Sequence, residues 1–417
     1  MDRGSRPDPQ RAVFVQEVDG RYTLVKNGEP FFVKGAGGDA HFKALREAGG
    51  NTLRVWDTTN LAMVLDSAHA NGLSVIAGIP IPNSNYAQLY DNPTRVAQQL
   101  RAITTLVDRL RSHPALLMWC LGNELIFPSR FSNTNFYSAF NDLTDIIHEV
   151  DPDHPVTTTL VNLNVPHLLQ LITYCDLDII SFNIYGSIVE LTSKLADIEW
   201  FWNGPFLVTE WGINGPWEGT SQTTWGAYLE DNSTHKARVI EERYQRYMPH
   251  NDPGFLGSCI FYWGYKQETS HTWFSLFDKN GHQTEAVGVL QHLWTGQPTS
   301  RKYPEINEIR LNGGLAGDNI LLVPETRAKV TITITSHGTD AKKVNWQVFP
   351  EDWYKENEHL TSKALPLLYE VTTTGDQHEI EFVVPKKDGP YRLFANVYDA
   401  QGNFGTSNIP FYVIRPQ

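Results

Sequence analysis

Ala115-Leu116-Leu117-Met118-Trp119-Cys120-Leu121-Gly122-Asn123-Glu124 is a run of seven apolar residues that stops abruptly in Gly, Asn and Glu. Nothing in it alternates with polar residues, so a strand built from it must be covered on both faces, the condition of a strand inside a parallel sheet. Runs of the same kind lie on either side: FFVK at 31–34, TLRVW at 52–56 and SVIAGI at 74–79 before it, then VTTTL at 156–160, LDIISFN at 177–183, PFLVTE at 205–210 and GSCIFYW at 257–263. With ALLMWC at 115–120 they make eight. Helical patterns separate them, among them DAHFKALREAG at 39–49, LAMVLDSAHANG at 61–72 and TRVAQQLRAITTLVDRLRS at 94–112, with apolar positions three and four residues apart. Several finish on Gly or Asn, the residues that close helix C-termini. Eight strand–helix units in roughly 250 residues predict a closed (β/α)8 TIM barrel. An open doubly wound sheet would call for a GxGxxG after its first strand and polar residues gathered at one switch point, and this sequence has neither.

The barrel is expected over 27–298. Before it, residues 1–26 read as a tail and two lead-in strands, with Lys26-Asn27-Gly28 as a turn signal. Past Pro298 the pattern changes: KVTITITS, VNWQVFP, HEIEFVVP, YRLFANVYD and IPFYVI are short alternating strands with no helix between them. They predict a C-terminal all-β, immunoglobulin-like sandwich over 299–417, reached through the polar linker GQPTSRKYP at 296–304. Trp346, Trp353 and Tyr354 fit core or turn positions there, and the sandwich is expected either to bind glucan or to pack.

At 417 residues the chain exceeds what one hydrophobic core usually serves, in keeping with two domains. Its 34 Lys+Arg against 47 Asp+Glu give a net charge of −13 with no basic run, which argues against nucleic acid and anionic membranes as partners. No stretch approaches a membrane-spanning length, so no membrane insertion is expected. Many of the 12 Trp fall in expected loops, which suits a sugar-binding surface or a well-packed core. Cys120, Cys175 and Cys259 lie in or beside strand-like runs and read as buried thiols. MDRGSRPDPQ at the start lacks the apolar core of a signal peptide, so either the protein is intracellular or a signal peptide has been replaced; the segment reads as a cloning-derived tail, which favours the second and with it a secreted or periplasmic location. Fourteen histidines invite a metal, yet no HExxH or His–carboxylate spacing occurs, Asp39-Ala40-His41 is too short a match, and Asp278-Lys279-Asn280-Gly281 reads as an ordinary turn. The expectation is no metal and no cofactor.

In such a barrel the reactive groups belong at the C-terminal ends of the strands. Strand four ends in Leu121-Gly122-Asn123-Glu124 and strand seven in Thr209-Glu210-Trp211-Gly212. The barrel brings these two glutamates to one mouth, and glycoside hydrolysis needs such a pair. The two motifs resemble the acid/base and nucleophile motifs of glycoside hydrolase clan A. Asn27-Gly28-Glu29-Pro30-Phe31-Phe32-Val33-Lys34-Gly35 resembles the start of the family 2 barrel domain, and Asn51-Thr52-Leu53-Arg54-Val55-Trp56 resembles strand two of families 2 and 5. Asn183-Ile184-Tyr185 is similar to the strand-six element, and the run of motifs resembles the family 72 β-1,3-glucanosyltransferases.

The resemblance implies Glu124 as general acid/base, its pKa raised by the second carboxylate and by desolvation, and Glu210 as nucleophile. It implies Arg54 and Tyr185 as supports of Glu210, Asn123 as a hold on the sugar 2-OH, and Trp263 as a stacking platform. A structural role stays open for Arg54, Tyr185 and Trp263. Asn183, Trp211, Trp217, Glu268, His271 and Trp273 are further expected substrate contacts or supports. The implied activity is retaining hydrolysis of a β-glycosidic bond in an oligo- or polysaccharide, with β-1,3-glucan favoured. Retention asks for carboxyl groups about 5–5.5 Å apart. A transglycosylase on the same site and a non-catalytic carbohydrate-binding protein are the alternatives.

Overall fold

A computed structural model describes residues 11–335, 343–351, 365–375 and 377–416. Trp353, Tyr354 and the initial MDRGSRPDPQ lie outside them. Two compact units divide the chain. One holds the residues up to Trp211 together with Arg246–Phe261; the other holds Gly212–Gln245 and everything from Tyr262 on. The division runs through the segments that follow barrel strands seven and eight.

The first unit opens with β1 (Val13–Val18), β2 (Arg21–Lys26) and β3 (Glu29–Pro30), one antiparallel sheet. Asn27 and Gly28, both with positive φ, turn β2 into β3, so the lead-in has a third strand beyond the two expected. The barrel follows as β4 (Val33–Gly37), β5 (Thr52–Val55), β6 (Ser74–Ile79), β7 (Leu116–Leu121), β8 (Val156–Val161), β9 (Ile179–Asn183), β10 (Phe206–Trp211) and β11 (Phe255–Ile260). All pair in parallel, and β11 returns to β4 to close the cylinder. Every residue of β5, β6, β7, β9, β10 and β11 is buried, which explains why the sequence shows unbroken apolar runs there.

The connections carry α1 (Phe42–Glu47), α2 (Leu61–Ala70), α3 (Ala87–Tyr90), α4 (Pro93–Leu110), α5 (Thr134–Val150), α6 (Val165–Tyr174) and α7 (Leu191–Ile198), while α8 (Ser233–Glu242), after β10, belongs to the second unit. Asn92 caps α4 and Asn164 caps α6, each accepting backbone N–H bonds ahead of a proline in the first turn. Val13, Val15 and Leu24 of the lead-in sheet share one apolar cluster with Val33, Ile76, Leu117, Met118 and Leu207. Val13 N–H donates to the Asp153 carbonyl just before β8, and Tyr22 N–H to that of Pro253 just before β11. The lead-in sheet thus plugs the N-terminal end of the barrel and leaves the opposite mouth for chemistry.

The second unit contains α9 (Glu285–Thr295), then β12 (Glu305–Leu311), β13 (Leu321–Leu322), β14 (Arg327–Thr335), β15 (Lys343–Pro350), β16 (Tyr369–Thr374), β17 (Glu379–Val383), β18 (Gly389–Tyr398) and β19 (Phe404–Val413). These form a three-stranded sheet, β12-β14-β17, and a five-stranded sheet, β13-β19-β18-β15-β16. Their inner faces meet over a core of Ile306, Val330, Trp346, Leu393, Ile409 and Phe411. Trp346 is fully buried there, and its indole donates to Thr373.

Candidate active site

The end of β10 sets the site. Glu210 is 5% exposed and accepts three hydrogen bonds. Tyr185 donates its hydroxyl to Oε2 at 2.6 Å, Trp56 donates its indole N–H to Oε1 at 2.7 Å, and Arg54 Nη1 closes on Oε1 as an ion pair. Three donors, one of them charged, converge on a single buried carboxylate, and bonds of this charge-assisted kind are the strong ones.

Arg54 is the centre of the network. It rises from β5 across the barrel, 1% exposed, with Nη2 donating to Asn123 Oδ1 at 2.5 Å and lying 3.4 Å from Thr159 Oγ1 on β8. Burial, the largest single influence, pulls its pKa down, but the charge of Glu210, the Cys120 and Cys259 thiols and the hydrogen bond to Glu210 together raise it above the ordinary value, so the guanidinium stays charged. Trp56 lies beneath it, with the guanidinium carbon 5.2 Å from the ring centroid. Gly37 makes room for that ring, since a Cβ there would stand 2.8 Å from Trp56 Cη2.

Glu124 reaches the same network from the other side. Asn183 Nδ2 donates to Glu124 Oε1 at 2.8 Å and to Asn123 Oδ1 at 3.2 Å. Asn183 is itself oriented by Thr209, whose hydroxyl donates to its Oδ1 at 3.1 Å. Glu124 is half-buried, and its backbone takes a left-handed conformation, φ 54, two residues after Gly122 at φ 75. A half-exposed carboxyl can exchange protons with solvent and with a leaving oxygen. A buried, triply bonded carboxylate can attack carbon. The two halves of a double displacement are available, one on each strand.

Arg54, Asn123, Glu124, Asn183, Tyr185 and Glu210 are therefore brought together, joined through Arg54 and Asn183. The aromatic and loop expectations turn out differently. Trp211 and Trp263 are both 0% exposed, and Trp263 packs on Phe277 and Trp294 at ring distances of 5.1 and 6.1 Å, leaving no open face for a sugar. Trp273 is 3% exposed and donates to the Asn214 carbonyl at 3.0 Å. His271 is buried against Phe394, ring centroids 4.2 Å apart, and burial pushes its pKa down to about 4, so it is a neutral core residue. Glu268 pairs with Lys266 at 2.6 Å. Trp217 alone of these aromatics is open, at 57% exposure. In the polar segment after strand eight His271 and Trp273 are buried, whereas Tyr265 is 43% exposed.

Three contributors are absent from the expectations. Trp56 reads as the last residue of a strand, yet it bonds Glu210. Phe261, directly after β11, is the strand-eight aromatic beside the site, 5.6 Å from Trp56 and 5.9 Å from Tyr185 by ring centroid. Thr209 reads only as a β-former. Their position at strand tails was the available signal. The Asp278 turn is self-contained: its Oδ1 accepts from the N–H groups of Asn280 and His282, and its Oδ2 lies 2.8 Å from His282 Nδ1. Among the described residues no cluster of three or more His, Cys, Asp or Glu could hold a metal ion, all three cysteines are free, and no helix is long and apolar enough to cross a membrane.

The closed parallel barrel carries this carboxylate arrangement at the C-terminal ends of its strands. Residues 51–278 match the model for the TIM barrel domain of glycosyl hydrolases family 2, and the chain belongs to that family. Over 233 residues, 48% of this chain and 38% of the relative, it is 25% identical to a β-glucuronidase of Paenibacillus borealis. A solved Bacteroides uniformis β-glucuronidase aligns with a TM-score of 0.52 at 14% identity, over 97% of this chain and 48% of that one. A Faecalibacterium prausnitzii β-glucuronidase gives 0.52 at 18%, over 69% and 52%. These likenesses are of fold, and the chain spans about half the length of the solved relatives and less of the curated one.

Proposed function

We propose that this chain is a retaining β-glycosidase in which Glu210 is the nucleophile and Glu124 the general acid/base. The observation that supports this most is the three-donor cage around Glu210, joined through Arg54, Asn123 and Asn183 to a half-exposed second carboxyl. In the first step Glu210 attacks the anomeric carbon, the bond to the leaving oxygen breaks, and the Glu124 proton passes to that oxygen. In the second, water attacks the same carbon, Glu124 takes its proton and the Glu210 carboxylate departs. Arg54, Tyr185 and Trp56 hold the nucleophile, and Asn123 is aligned for the sugar 2-OH.

Arg54 is already occupied by Glu210 and Asn123, and a neutral ring is the first reading; the resemblance to the family 72 enzymes makes a β-1,3-linked β-glucan the expected polymer. The names of the relatives favour a second reading, a β-glucuronide, whose carboxylate would need a separate cation. Hydrolysis of aryl β-glucosides against aryl β-glucuronides separates the two.

Glu210→Ala should lower kcat on an activated aryl glycoside by at least about 10³-fold. Unchanged hydrolysis would remove these roles, whereas a wild type that hydrolyses no β-glycoside would leave the non-catalytic carbohydrate-binding alternative. Anomer-resolved NMR of the first product should show retention. Product sizing with oligosaccharide acceptors decides between water and sugar as the acceptor, and so between hydrolase and transglycosylase.

A further inference from the structure

The left-handed backbone of Glu124 requires a cause. Glutamate adopts positive φ rarely, because its Cβ crowds the following carbonyl. Gly122 can turn freely, but Glu124 is held at φ 54 by what surrounds it. On one side Leu125 N–H donates to the Thr159 carbonyl of β8 at 3.3 Å. On the other stands Asn83, in the loop that leaves β6.

Asn83 brackets Glu124. Its Oδ1 accepts the Ile126 N–H at 3.0 Å, and its Nδ2 lies 3.5 Å from the Glu124 carbonyl oxygen. The first bond is strong and the second long, so Ile126 N–H is the main point of attachment. The amide is itself aimed: Oδ1 also accepts Ser84 N–H at 2.8 Å, and the Asn83 carbonyl accepts Tyr86 N–H at 3.0 Å in the same turn. Tyr90 fixes the loop by donating its hydroxyl to the Pro82 carbonyl, and its ring meets Phe136 at 5.1 Å. Asn135 Nδ2 ties the neighbouring segment to Asp91 Oδ1 at 2.8 Å. The loops after β6 and β7 are thus pinned to each other, and Asn83 is the side chain that fastens the backbone of Glu124 at that seam.

We infer that Asn83 is a positioning residue for the general acid/base. It acts through the backbone: by holding Ile126 N–H and facing the Glu124 carbonyl, it fixes the left-handed turn from which the carboxyl projects toward the leaving oxygen. Asn183 orients the carboxyl itself, and the two asparagines share the work. This inference rests on the assignment of Glu124 above.

The chemistry supplies a selective test. A leaving group that departs as a stable anion, such as 2,4-dinitrophenolate, needs no proton in the first step, whereas phenolate needs one. Misplacing the acid by a fraction of an ångström therefore slows the phenyl glycoside far more than the dinitrophenyl one. For the sugar that the wild type hydrolyses, Asn83→Ala should lower kcat/KM about 10–30-fold on the phenyl glycoside and less than about threefold on the 2,4-dinitrophenyl glycoside. Asn83→Asp keeps the acceptor for Ile126 N–H and should recover most of the loss, which also covers the case in which the alanine variant does not fold. Equal losses on both substrates, no loss on either, or an aspartate variant as poor as alanine on phenyl overturns the inference. Glu124→Gln in parallel distinguishes the failures. If it shows no leaving-group dependence, the acid/base assignment falls; if it does while Asn83→Ala does not, only the role of Asn83 falls.

Discussion

Arg54 and Glu210 form an ion pair inside the barrel end with side-chain exposures of 1% and 7%. Neither charge has much access to water, so each depends on the other. Arg54→Leu leaves Glu210 buried against Tyr185 and Trp56 alone and should cost about 3–5 kcal/mol of stability, as breaking a buried pair does. Chemical denaturation of the two proteins measures it, and a loss below about 1 kcal/mol would show that water reaches the pair.

The two neutral donors to Glu210 act differently from the charge. Tyr185→Phe removes one bond to the carboxylate at little change of shape, and Trp56→Phe removes another together with part of the ring that lies against Arg54. A hydrogen bond to a charged group contributes about 1.5–3 kcal/mol, so each variant should lose roughly 10–100-fold in kcat/KM. Binding of a non-hydrolysable sugar should change much less, and equal losses in both would mean the residues serve packing.

Glu285, at the start of α9, makes the second unit sensitive to alkali. Burial, then the charge of Glu305, pushes its carboxyl up to about 7, and its Oε2 has no hydrogen-bond partner among the described residues. Arg238 opposes the shift and Glu241 adds to it. The folded value exceeds the unfolded one of about 4.3, so the stability contributed is full below that value and lost as pH rises through 7. Glu285→Gln should melt above wild type at pH 8, by the equivalent of about 1–3 kcal/mol, with the gap narrowing toward pH 5. Thermal melts across that range check the sign.

His271 has the opposite sign. Burial lowers it to about 4, below the unfolded value of about 6.5, so its contribution is present above 6.5 and lost as pH falls through 4. Replacement by Gln should flatten the acid side of the stability profile of the second unit. A profile as steep as wild type would mean that carboxylates alone set the acid limb.

The barrel was legible because its strands are buried on both faces, and the fully apolar stretch from Leu116 to Leu121 shows that burial directly. Its first strand was misplaced: the hydrophobic Phe31-Phe32 pair drew the expectation forward, whereas the strand runs Val33–Gly37 and is dominated by small residues. In the sandwich, β12, β13 and β16 escaped notice. The Glu-rich Glu305–Leu311 hides its alternation, Leu321–Leu322 is too short to show one, and Tyr369–Thr374 is a mostly polar edge strand. Glu124 and Glu210 announced themselves by their motifs. Trp56, Phe261 and Asn83 did not, because what they do depends on which strand tail lies next to them around the barrel, and no local pattern carries that.

The fork of Arg54 carries one more consequence. A guanidinium is rigid, and its two Nη atoms keep a single separation whatever the protein does around them. One faces Glu210 at the end of β10 and the other faces Asn123 beyond β7, so drift of the fourth barrel strand against the seventh has to break a bond rather than stretch one. The barrel mouth therefore contains its own gauge. A lysine at the same place would neutralise the same charge but touch only one side at a time, and the spacing between the two carboxyl-bearing segments would be free to wander.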